Sequence, residues 1–340
     1  MNRVLAVRLD SDGDVLITGP AVRALAHTAD ALDLLAAPAG RAAGEMLPAV
    51  AQVLTFDAPW SGFVPPPVDG AAIESLIGVL RERRYSRAVI FTSFHQSPLP
   101  MALLARMAGI PFVAASSVDY PGSLLDLRHQ RLAVHEVEAA LELAVAAGGR
   151  LPDWDDGRLH IRSVSDPHDL SVAGPYVVVH PGASVPSRGL TAEHAASIVQ
   201  ALTAVGWRVV VTGGPAEREL ARMAAGATGI DLAGRTDLPG LAAVIADAAC
   251  IVVGNTGPAH LAAAVGTPVV SLFSPVVPAE RWRPYGVPTV LLGNQHEACR
   301  DSRARACPIV GHPCLSQVSA TRVAQAVEAL ARVPVSGPPR

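Results

Sequence analysis

Short runs of β-branched residues alternate with longer Ala- and Leu-rich segments along almost the whole chain. This alternation is typical of βαβ units that build a parallel sheet. The strand-like runs of the first half are residues 3–9, 31–36, 52–56, 87–92 and 111–114. Helix-like patterns follow at residues 70–84, 98–108 and 128–147. The pattern predicts an α/β fold with a doubly wound parallel sheet.

The alternation stops in a Gly-, Pro- and Asp-rich stretch at residues 148–175 and restarts at the segment YVVVHPGAS. Further helices are predicted at residues 191–205, 215–225, 238–248 and 258–265, with a last amphipathic helix at 316–332. A chain of 340 residues is long enough for two domains. We therefore expect Rossmann-like domains at 1–170 and 171–333, with the last helix able to pack back toward the first domain.

Composition narrows the classes of partner. Half of the residues are apolar and only 17% are charged, which excludes a disordered chain. A net charge of −3 gives no reason to expect nucleic acid or an anionic membrane as partner. No apolar run is long enough to span a membrane, and no secretory leader is recognisable. We therefore expect a cytoplasmic protein.

All 27 basic residues are arginine, so lysine Schiff-base chemistry is excluded and any cationic role falls to a guanidinium. Cys250 is expected in a core strand. Cys299, Cys307 and Cys314 lack the C-x-x-C spacing of strong zinc sites. We expect free thiols there, with zinc and a local disulfide as alternatives, and we expect the protein to need no metal and no cofactor.

The segment GNTGPAHLAAAVGTP follows the apolar run CIVV and opens a helix. Thr256 is the predicted N-cap and Pro258 the first helical residue. The amides of Asn255, Thr256 and Gly257 and the positive end of the helix dipole would favour an anion such as a diphosphate. His260 lies in the same turn and can donate to that anion. The alternative is an ordinary βα turn with a helix-capping histidine.

A second loop, HPGASVPSRGLTAEH, also follows an apolar run and precedes a helix that Thr191 is expected to cap. Its polar side chains Ser184, Ser187 and Arg188 are candidates for contacts with a donor diphosphate. A guanidinium binds phosphate well because it can donate two parallel hydrogen bonds. The alternative for Arg188 is a surface ion pair.

A third loop, TGGPAERE, opens the next helix. Gly213 and Gly214 would let a ligand approach the backbone closely, and Glu217 can accept hydrogen bonds from ribose hydroxyls. Alternatively, Glu217 is only a partner of the helix dipole. Three such loops in one domain predict a site for a nucleoside diphosphate.

These segments resemble glycosyltransferase family 9, which includes the ADP-heptose:lipopolysaccharide heptosyltransferases. The resemblance lies in HPGAS, TGGPAE, GNTGPAHLAAAVGTPVVSLFSP and PAERWRPYG, together with the opening segment RVLAVRLDSDGDVLITGPAVRAL. It implies a GT-B fold, in which two Rossmann-like domains face a central cleft. It also implies inverting sugar transfer without a required metal.

The resemblance further assigns Asp14 as the catalytic base. Inverting transfer needs a carboxylate that takes the proton from the attacking hydroxyl. A carboxylate at a helix N-terminus is stabilised as the anion, and Gly13 would let substrate approach the backbone. The structural alternative for Asp14 is an ordinary first-turn charge. Asp10 and Asp12 are expected to be solvated capping residues.

Two positions depart from the family pattern. The resembling heptosyltransferases usually have lysine at the position of Arg188 and aspartate at that of Asn255. Arginine can still bind the donor phosphates. The amide of Asn255 can bond a donor hydroxyl or a backbone group but carries no charge, which leaves the donor sugar open.

The acceptor side is expected near the loop FTSFHQSPLP, which ends a predicted strand. Candidate contacts with the acceptor or the donor sugar are Ser93, His95 and Gln96. His95 can be a helper base or a simple hydrogen-bonding group. A helical spacing of Arg128, Arg131 and His135 indicates a solvated helix face or, alternatively, a docking face for an acidic acceptor.

The expected function is an inverting glycosyltransferase. It would move heptose or a related sugar from a nucleotide-diphosphate donor, ADP-linked in the first instance, to a hydroxyl of a glycan or secondary-metabolite acceptor. The alternatives are a GT-B sugar-nucleotide epimerase and a non-catalytic nucleotide-sugar-binding protein. A nicotinamide dehydrogenase is disfavoured because the loop DSDGDV lacks G-x-G-x-x-G. The sequence does not define the acceptor or the oligomeric state.

Overall fold

The structure is a computed structural model that describes residues 2–93, 95–163, 172 and 174–331. The chain divides into two compact units, Met1–Arg162 (unit 1) and Ser163–Arg340 (unit 2). The domain boundary predicted after residue 170 lies outside the described residues, as does the end of the chain from residue 332. That boundary therefore stays a prediction.

Unit 1 contains a parallel six-stranded sheet. Its strands are β1 Arg3–Arg8, β2 Ala31–Ala36, β3 Gln52–Thr55, β4 Arg87–Phe91, β5 Phe112–Ser116 and β6 Leu127–His129. They pair in the order β3-β2-β1-β4-β5-β6. The first five strands confirm the sequence prediction to within a residue or two at their ends.

The described helices of unit 1 are α1 Asp12–Ile17, α2 Gly19–His27, α3 Arg41–Met46, α4 Gly70–Arg83, α5 Leu99–Met107 and α6 Glu136–Ala146. Local chemistry sets some of their ends. The carboxylate of Asp69 accepts from the amides of Ala71 and Ala72 and so begins α4. That helix ends where Arg84 adopts a left-handed conformation, with φ 52°.

The helix predicted at 128–147 is wrong in its first eight residues. Leu127–His129 is instead the edge strand β6, which pairs with β5, and Arg128 donates to the carbonyl of Ser117. His135 is the N-cap of α6, where its Nδ1 accepts from the amide of Val137. Arg128, Arg131 and His135 therefore share no helix face, because helical spacing over three positions does not exclude a short strand and a turn.

Unit 2 contains a second parallel six-stranded sheet. Its strands are β7 Tyr176–His180, β8 Arg208–Val211, β9 Ile230–Asp231, β10 Cys250–Gly254, β11 Val269–Leu272 and β12 Thr289–Leu292. They pair in the order β12-β11-β10-β7-β8-β9. Every residue of β7 and β10 is buried, as expected for strands covered on both faces. The two sheets confirm the predicted α/β doubly wound fold class.

The described helices of unit 2 are α7 Ala192–Ala204, α8 Arg218–Ala225, α9 Leu238–Ala246, α10 Gly257–Val265, α11 Ala279–Trp282, α12 Pro313–Ser316 and α13 Ala320–Ala331. Thr191 caps α7 as predicted, since its side chain accepts from the amide of His194. The apolar face of α13 packs onto the core of unit 2 itself, through residues such as Val323 and Val327. In the described part of the chain, no helix is both long and apolar enough to cross a bilayer.

Candidate active site

Both sheets have a topological switch point, where the strand order reverses direction. In unit 1 it lies between β1 and β4, and in unit 2 it lies between β7 and β10. Open α/β sheets bind ligands outside the carboxyl ends of the strands at such points. The loops predicted to carry function follow β1, β4, β7 and β10. The remaining predicted loop, TGGPAERE, follows β8, which pairs with β7.

A buried arginine organises the carboxyl end of β1. Arg8 is 2% exposed. Its Nε lies 2.9 Å from Asp10 Oδ2, and its Nη2 lies 3.0 Å both from Asp14 Oδ1 and from Ser93 Oγ. A single guanidinium thus joins the loop after β1, the first turn of α1 and the loop after β4. Sequence reasoning missed Arg8, although an arginine at the end of an apolar run and followed by three aspartates was a visible signal.

Asp14 lies in the first turn of α1, next to the buried Gly13. Its second carboxylate oxygen accepts a hydrogen bond of 2.8 Å from the hydroxyl of Ser11. The side chain is 22% exposed. The carboxylate is therefore held in place from two directions and still reaches solvent, as a base for an incoming hydroxyl requires.

The expectation that Asp10 is a solvated capping residue is wrong. Its side chain is 11% exposed and accepts a 2.6 Å hydrogen bond from Gln96 Nε2 as well as facing Arg8. Burial raises the pKa of Asp10, and the charge of Arg8 opposes that rise. Asp12 caps a different segment, because its Oδ1 accepts from the amide of Ala43.

The predicted acceptor-side residues divide into two groups. Ser93 and Gln96 belong to the arginine network, and the amide of Ser93 also donates to Gln96 Oε1. His95 is exposed at the edge of unit 1.

Burial lowers the pKa of Arg8, but the carboxylates of Asp10 and Asp14 outweigh that effect, so its pKa is raised overall. Arg8 is therefore a permanent cation in this network.

The three glycine-rich loops of unit 2 meet at the carboxyl edge of its sheet. A Cβ on Gly254, at the end of β10, would overlap the carbonyl oxygen of Arg188. A Cβ on Gly182 would likewise overlap the carboxylate of Glu217. The loops after β7, β8 and β10 are therefore in direct contact, and glycine at both positions is required by that contact.

Glu217 has a structural task in this arrangement. Its Oε2 accepts a 2.7 Å hydrogen bond from the amide of Gly214, which gives that amide a partner at the turn before α8. The same oxygen lies 3.7 Å from Nε2 of His180, whose Nδ1 is 2.9 Å from the hydroxyl of Thr212. Burial lowers the pKa of His180, against the opposing charge of Glu217. Gly213 is buried beside this group.

The loop before α10 is closed by the side chain of Asn255. Its Nδ2 donates to the carbonyl of Ser274 at 3.3 Å, and its Oδ1 accepts from the amide of Ser274 at 3.2 Å. Of the two partners expected for this amide, the backbone group is the one observed. Because one side of the pair must donate and the other accept, a neutral amide suits this position better than a carboxylate.

The start of α10 is close to the prediction. Thr256 is the N-cap residue, without a side-chain capping bond, and Gly257 rather than Pro258 is the first helical residue. His260 is 7% exposed within the first turn. The amide of Thr256 donates to the carbonyl of Gly254 at 3.0 Å, so it does not face open space as predicted. The amide of Gly257 begins the nine-residue helix at the switch point, where an anion is favoured.

Ser184 is exposed and Arg188 is half-buried, but Ser187 is fully buried. The hydroxyl of Ser187 donates to the carbonyl of Ala304 at 2.6 Å, and its amide donates to the carbonyl of Arg305 at 3.0 Å. Ser187 thereby fixes the segment at 300–305 beside the turn that carries Arg188. The proton of its hydroxyl is used in this contact, so a role in donor binding stays a prediction.

The segment at 300–305 brings further cations to this edge. Arg303 is exposed, and its amide donates to the carbonyl of Val276 in the loop after β11. Arg305 is also exposed, next to the Ser187 contact. Sequence reasoning missed these guanidinium groups, although three arginines among six residues gave the signal.

All four cysteines carry free thiols. Burial raises the pKa of Cys250 to about 12 and that of Cys314 to about 11, and it also raises the pKa of Cys299. At neutral pH these groups are therefore protonated and poor nucleophiles. Among the described residues, no group of three or more His, Cys, Asp and Glu side chains is arranged to hold a metal ion.

Comparison with known sequences adds a family to this geometry. The sequence model of glycosyltransferase family 9 (heptosyltransferase) matches residues 73–311, more than half of the chain. Lipopolysaccharide heptosyltransferase 3 of Escherichia coli (strain K12) is 35% identical over 122 residues. That segment covers 34% of this chain and 35% of the relative, so the chain spans only about a third of the curated protein that it matches.

Solved structures share the fold over nearly the full length. E. coli ADP-heptose lipopolysaccharide heptosyltransferase II matches with a TM-score of 0.72 and 21% identity, covering 97% of this chain and 98% of that chain. E. coli heptosyltransferase WaaC with ADP-2-deoxy-2-fluoro heptose matches with a TM-score of 0.69 and 22% identity, covering 96% and 99%. At these identities the likeness establishes the fold alone.

Proposed function

The chain belongs to glycosyltransferase family 9, and on that premise we propose that it is an inverting glycosyltransferase that uses a nucleotide-diphosphate sugar. The observation that carries the proposal is the meeting of three glycine-rich loops at the switch point of unit 2, with Arg188 and the start of α10 among them. Backbone amides, a helix N-terminus and a guanidinium together suit a diphosphate.

In the proposed reaction, the acceptor hydroxyl oxygen attacks the anomeric carbon of the donor sugar, and the bond between that carbon and the diphosphate oxygen breaks. Asp14 takes the proton from the hydroxyl. The nucleoside diphosphate leaves with an extra negative charge, which Arg188 and the amide of Gly257 at the start of α10 stabilise. No metal is needed for this step if those groups neutralise the leaving charge.

Arg8 has a positioning role in this proposal. It holds one carboxylate oxygen of Asp14 at 3.0 Å while the hydroxyl of Ser11 holds the other. A carboxylate fixed in this way loses little conformational entropy when the acceptor arrives. Asp10 shares the same guanidinium but is more buried, so Asp14 is the better placed of the two to meet a hydroxyl.

We further propose that the donor is ADP-linked, with heptose or a related sugar. ADP-heptose is the donor named for the E. coli heptosyltransferase II structure, and an ADP-heptose analogue is bound in the WaaC structure. The acceptor is a hydroxyl of a glycan or small molecule. A cytoplasmic location suits such a donor, because nucleotide sugars are made inside the cell.

The test is a panel of ADP-, GDP-, UDP- and dTDP-sugars, read by thermal shift and by release of the nucleoside diphosphate. A ligand at about 100 times its Kd stabilises the folded protein by about 2.7 kcal/mol. We expect the ADP-sugars to give the largest shift together with slow release of ADP to water. Arg188→Met should weaken nucleotide binding about 10- to 100-fold, as expected for a lost charged hydrogen bond.

The same panel separates the alternatives. A sugar-nucleotide epimerase would convert the donor sugar without releasing nucleoside diphosphate. A non-catalytic binding protein would show the thermal shift and leave the donor intact. A shift with another base alone would overturn the ADP assignment, and the absence of any shift would overturn the proposal.

A further inference from the structure

Apolar side chains are exposed on two loops at the carboxyl edge of unit 1. The first loop, residues 56–69, follows β3, and the second, residues 117–126, follows β5. Their exposed apolar residues are Phe63 (56%), Val64 (85%), Val68 (75%), Val118 (88%) and Tyr120 (85%). Single exposed apolar residues are ordinary, but several on one edge mark a binding surface.

The loop at 56–69 does not stay beside β3, which is an edge strand. The hydroxyl of Ser61 donates to the carbonyl of Leu9, at the end of β1. Trp60 and Ser61 line a crevice together with Phe91 and Gln96, beyond the ends of β1 and β4. The loop thus crosses the switch point, and its exposed segment begins at Phe63, only two residues after this anchor.

The crevice itself has mixed chemistry. The space in it that a water-sized group can enter is about 20 Å³, which is room for a single hydroxyl or water. Its walls include Leu9, Trp60 and Met101 together with the polar side chains of Asp10 and Gln96. These walls suit one hydroxyl of a compound whose apolar body lies outside the crevice, because the polar groups bond the hydroxyl while apolar side chains contact the body. Arg8 joins this crevice to Asp14 through its contacts with both aspartates.

The charge of this edge argues against an anionic occupant. The loops at 56–69 and 117–126 contain no arginine or lysine, and three exposed aspartates, Asp57, Asp69 and Asp119, lie toward this edge. The fourth aspartate of the loops, Asp126, directly precedes β6 at the amino edge of the sheet, where it pairs with Arg106 at 2.6 Å. A phosphate or carboxylate on the ligand would meet like charges here.

One exposed arginine, Arg128, lies against the second loop, where it donates to the carbonyls of Ser117 and Val118. The other arginines considered at this edge also have partners. Arg8 is buried among carboxylates, and Arg131 donates to Glu136 Oε2 at 2.6 Å and to the carbonyl of Thr92 at 2.9 Å. Arg41 is exposed and pairs with Glu45. At the edge of unit 2, three arginines, Arg188, Arg303 and Arg305, lie near the loops that we propose bind a diphosphate.

Resting on the proposed function, we infer that the acceptor is an uncharged alcohol with an apolar or aromatic body. That body packs against the loops at 56–69 and 117–126, while its reacting hydroxyl reaches Asp14. The acceptor therefore differs in kind from a phosphorylated or acidic glycan, which this edge would repel.

The test compares matched acceptors in the same assay. Phenyl and octyl glycosides are added to the protein with the nucleotide sugar that it binds, beside the same glycosides carrying a 6-phosphate or an amino group. The readout is the acceleration of nucleoside diphosphate release over the rate with water. We expect the uncharged glycosides to accelerate release at least 10-fold more than their phosphorylated partners.

Two variants test whether the loops at 56–69 and 117–126 cause this acceleration. Phe63→Ser and Tyr120→Ser should each reduce the acceleration by the phenyl glycoside at least 5-fold and leave nucleotide affinity unchanged. The matched control is Met107→Ser, which removes a side chain of similar exposure (54%) at the far end of α5. It should behave like the unmodified protein.

An equal or greater response to the phosphorylated or amino glycosides overturns the inference. The inference is also overturned if no uncharged glycoside accelerates release. It is overturned again if Phe63→Ser and Tyr120→Ser both show the same acceleration as Met107→Ser. In each case nucleotide binding and slow hydrolysis of the donor remain, which leaves the proposed function standing. Failure of the unmodified protein to bind any nucleotide sugar is a separate result that overturns the proposed function itself.

Discussion

Replacing Arg8 with methionine removes the cation on which two aspartates depend. Methionine fills much of the same volume, so the main loss is electrostatic. Asp10, at 11% exposure, would lose the guanidinium 2.9 Å away and keep the amide of Gln96 and the smaller effect of the Arg131 charge. Removing one partner of a buried ion pair costs about 3–5 kcal/mol, because the remaining charge is left without compensation. In a unit of this size, that corresponds to a fall in Tm of about 6–20 °C.

The loss should depend on pH. Burial already raises the pKa of Asp10, and the charge of Arg8 is the largest effect that opposes the rise. Without Arg8 the pKa of Asp10 rises further above its value in the unfolded chain, about 3.9. The folded variant then binds a proton more readily than the unfolded one, so its stability falls as pH rises through the new pKa. The deficit should therefore be larger at pH 8 than at pH 5.

Differential scanning calorimetry at the two pH values measures this deficit directly. Arg41→Met is the matched control, since Arg41 also contacts a carboxylate, Glu45, but both side chains are more than half exposed. Its expected cost is at most about 0.5 kcal/mol at either pH. Arg8→Lys should lie between the two, because it keeps the charge and loses the fork that reaches three partners. An Arg8→Met deficit below about 1 kcal/mol, or one equal at both pH values, would refute the reasoning.

Two predictions concern unit 2. Asn255→Asp places a carboxylate against the carbonyl of Ser274, which should lower the free energy of unfolding by about 1–3 kcal/mol at pH 8. The loss should be smaller at pH 5, where a protonated aspartate can donate again. Urea unfolding at both pH values measures the loss, and equal losses would contradict the prediction. Gly182→Ala places a Cβ onto the carboxylate of Glu217 and should weaken nucleotide binding about 10-fold (about 1.4 kcal/mol) by calorimetry. Gly189→Ala, whose Cβ would make only ordinary contacts, is its control, and equal affinities of the two variants would show that the first contact is unimportant.

Much of the fold was predictable because parallel strands buried on both faces are apolar and unbroken. The run at 250–254 and the loop after it are an example, since the strand, the N-cap Thr256 and the following helix lie within a residue of the prediction. The edge strand β6 was not predictable in the same way. It has only three residues, and its pairing with Phe112–Ser116 is a long-range contact that no local pattern encodes.

The candidate site was also predictable only in part. The sequence placed Asp14, Arg188 and the start of α10 at carboxyl edges of the sheets, because motif position along the chain fixes that much. It did not show that Arg8 joins Asp14 to Ser93, since that contact spans 85 residues. It also gave no sign that Ser187 is committed to the backbone of Ala304, because a serine in a loop has the same sequence pattern whether it meets a ligand or a carbonyl.

The central claim is that Asp14 is the base in a transfer whose nucleotide is bound elsewhere, in unit 2. Its most direct test is the rate of nucleoside diphosphate release by Asp14→Asn, measured beside the affinity for the same nucleotide. The matched control is Asp30→Asn, an exposed aspartate at the opposite, amino edge of the same sheet. We predict a rate lower by about 100-fold or more for Asp14→Asn, with nucleotide affinity unchanged, because a positioned base contributes that much to proton transfer. A variant that keeps the rate, or one that loses nucleotide binding along with it, would contradict the claim.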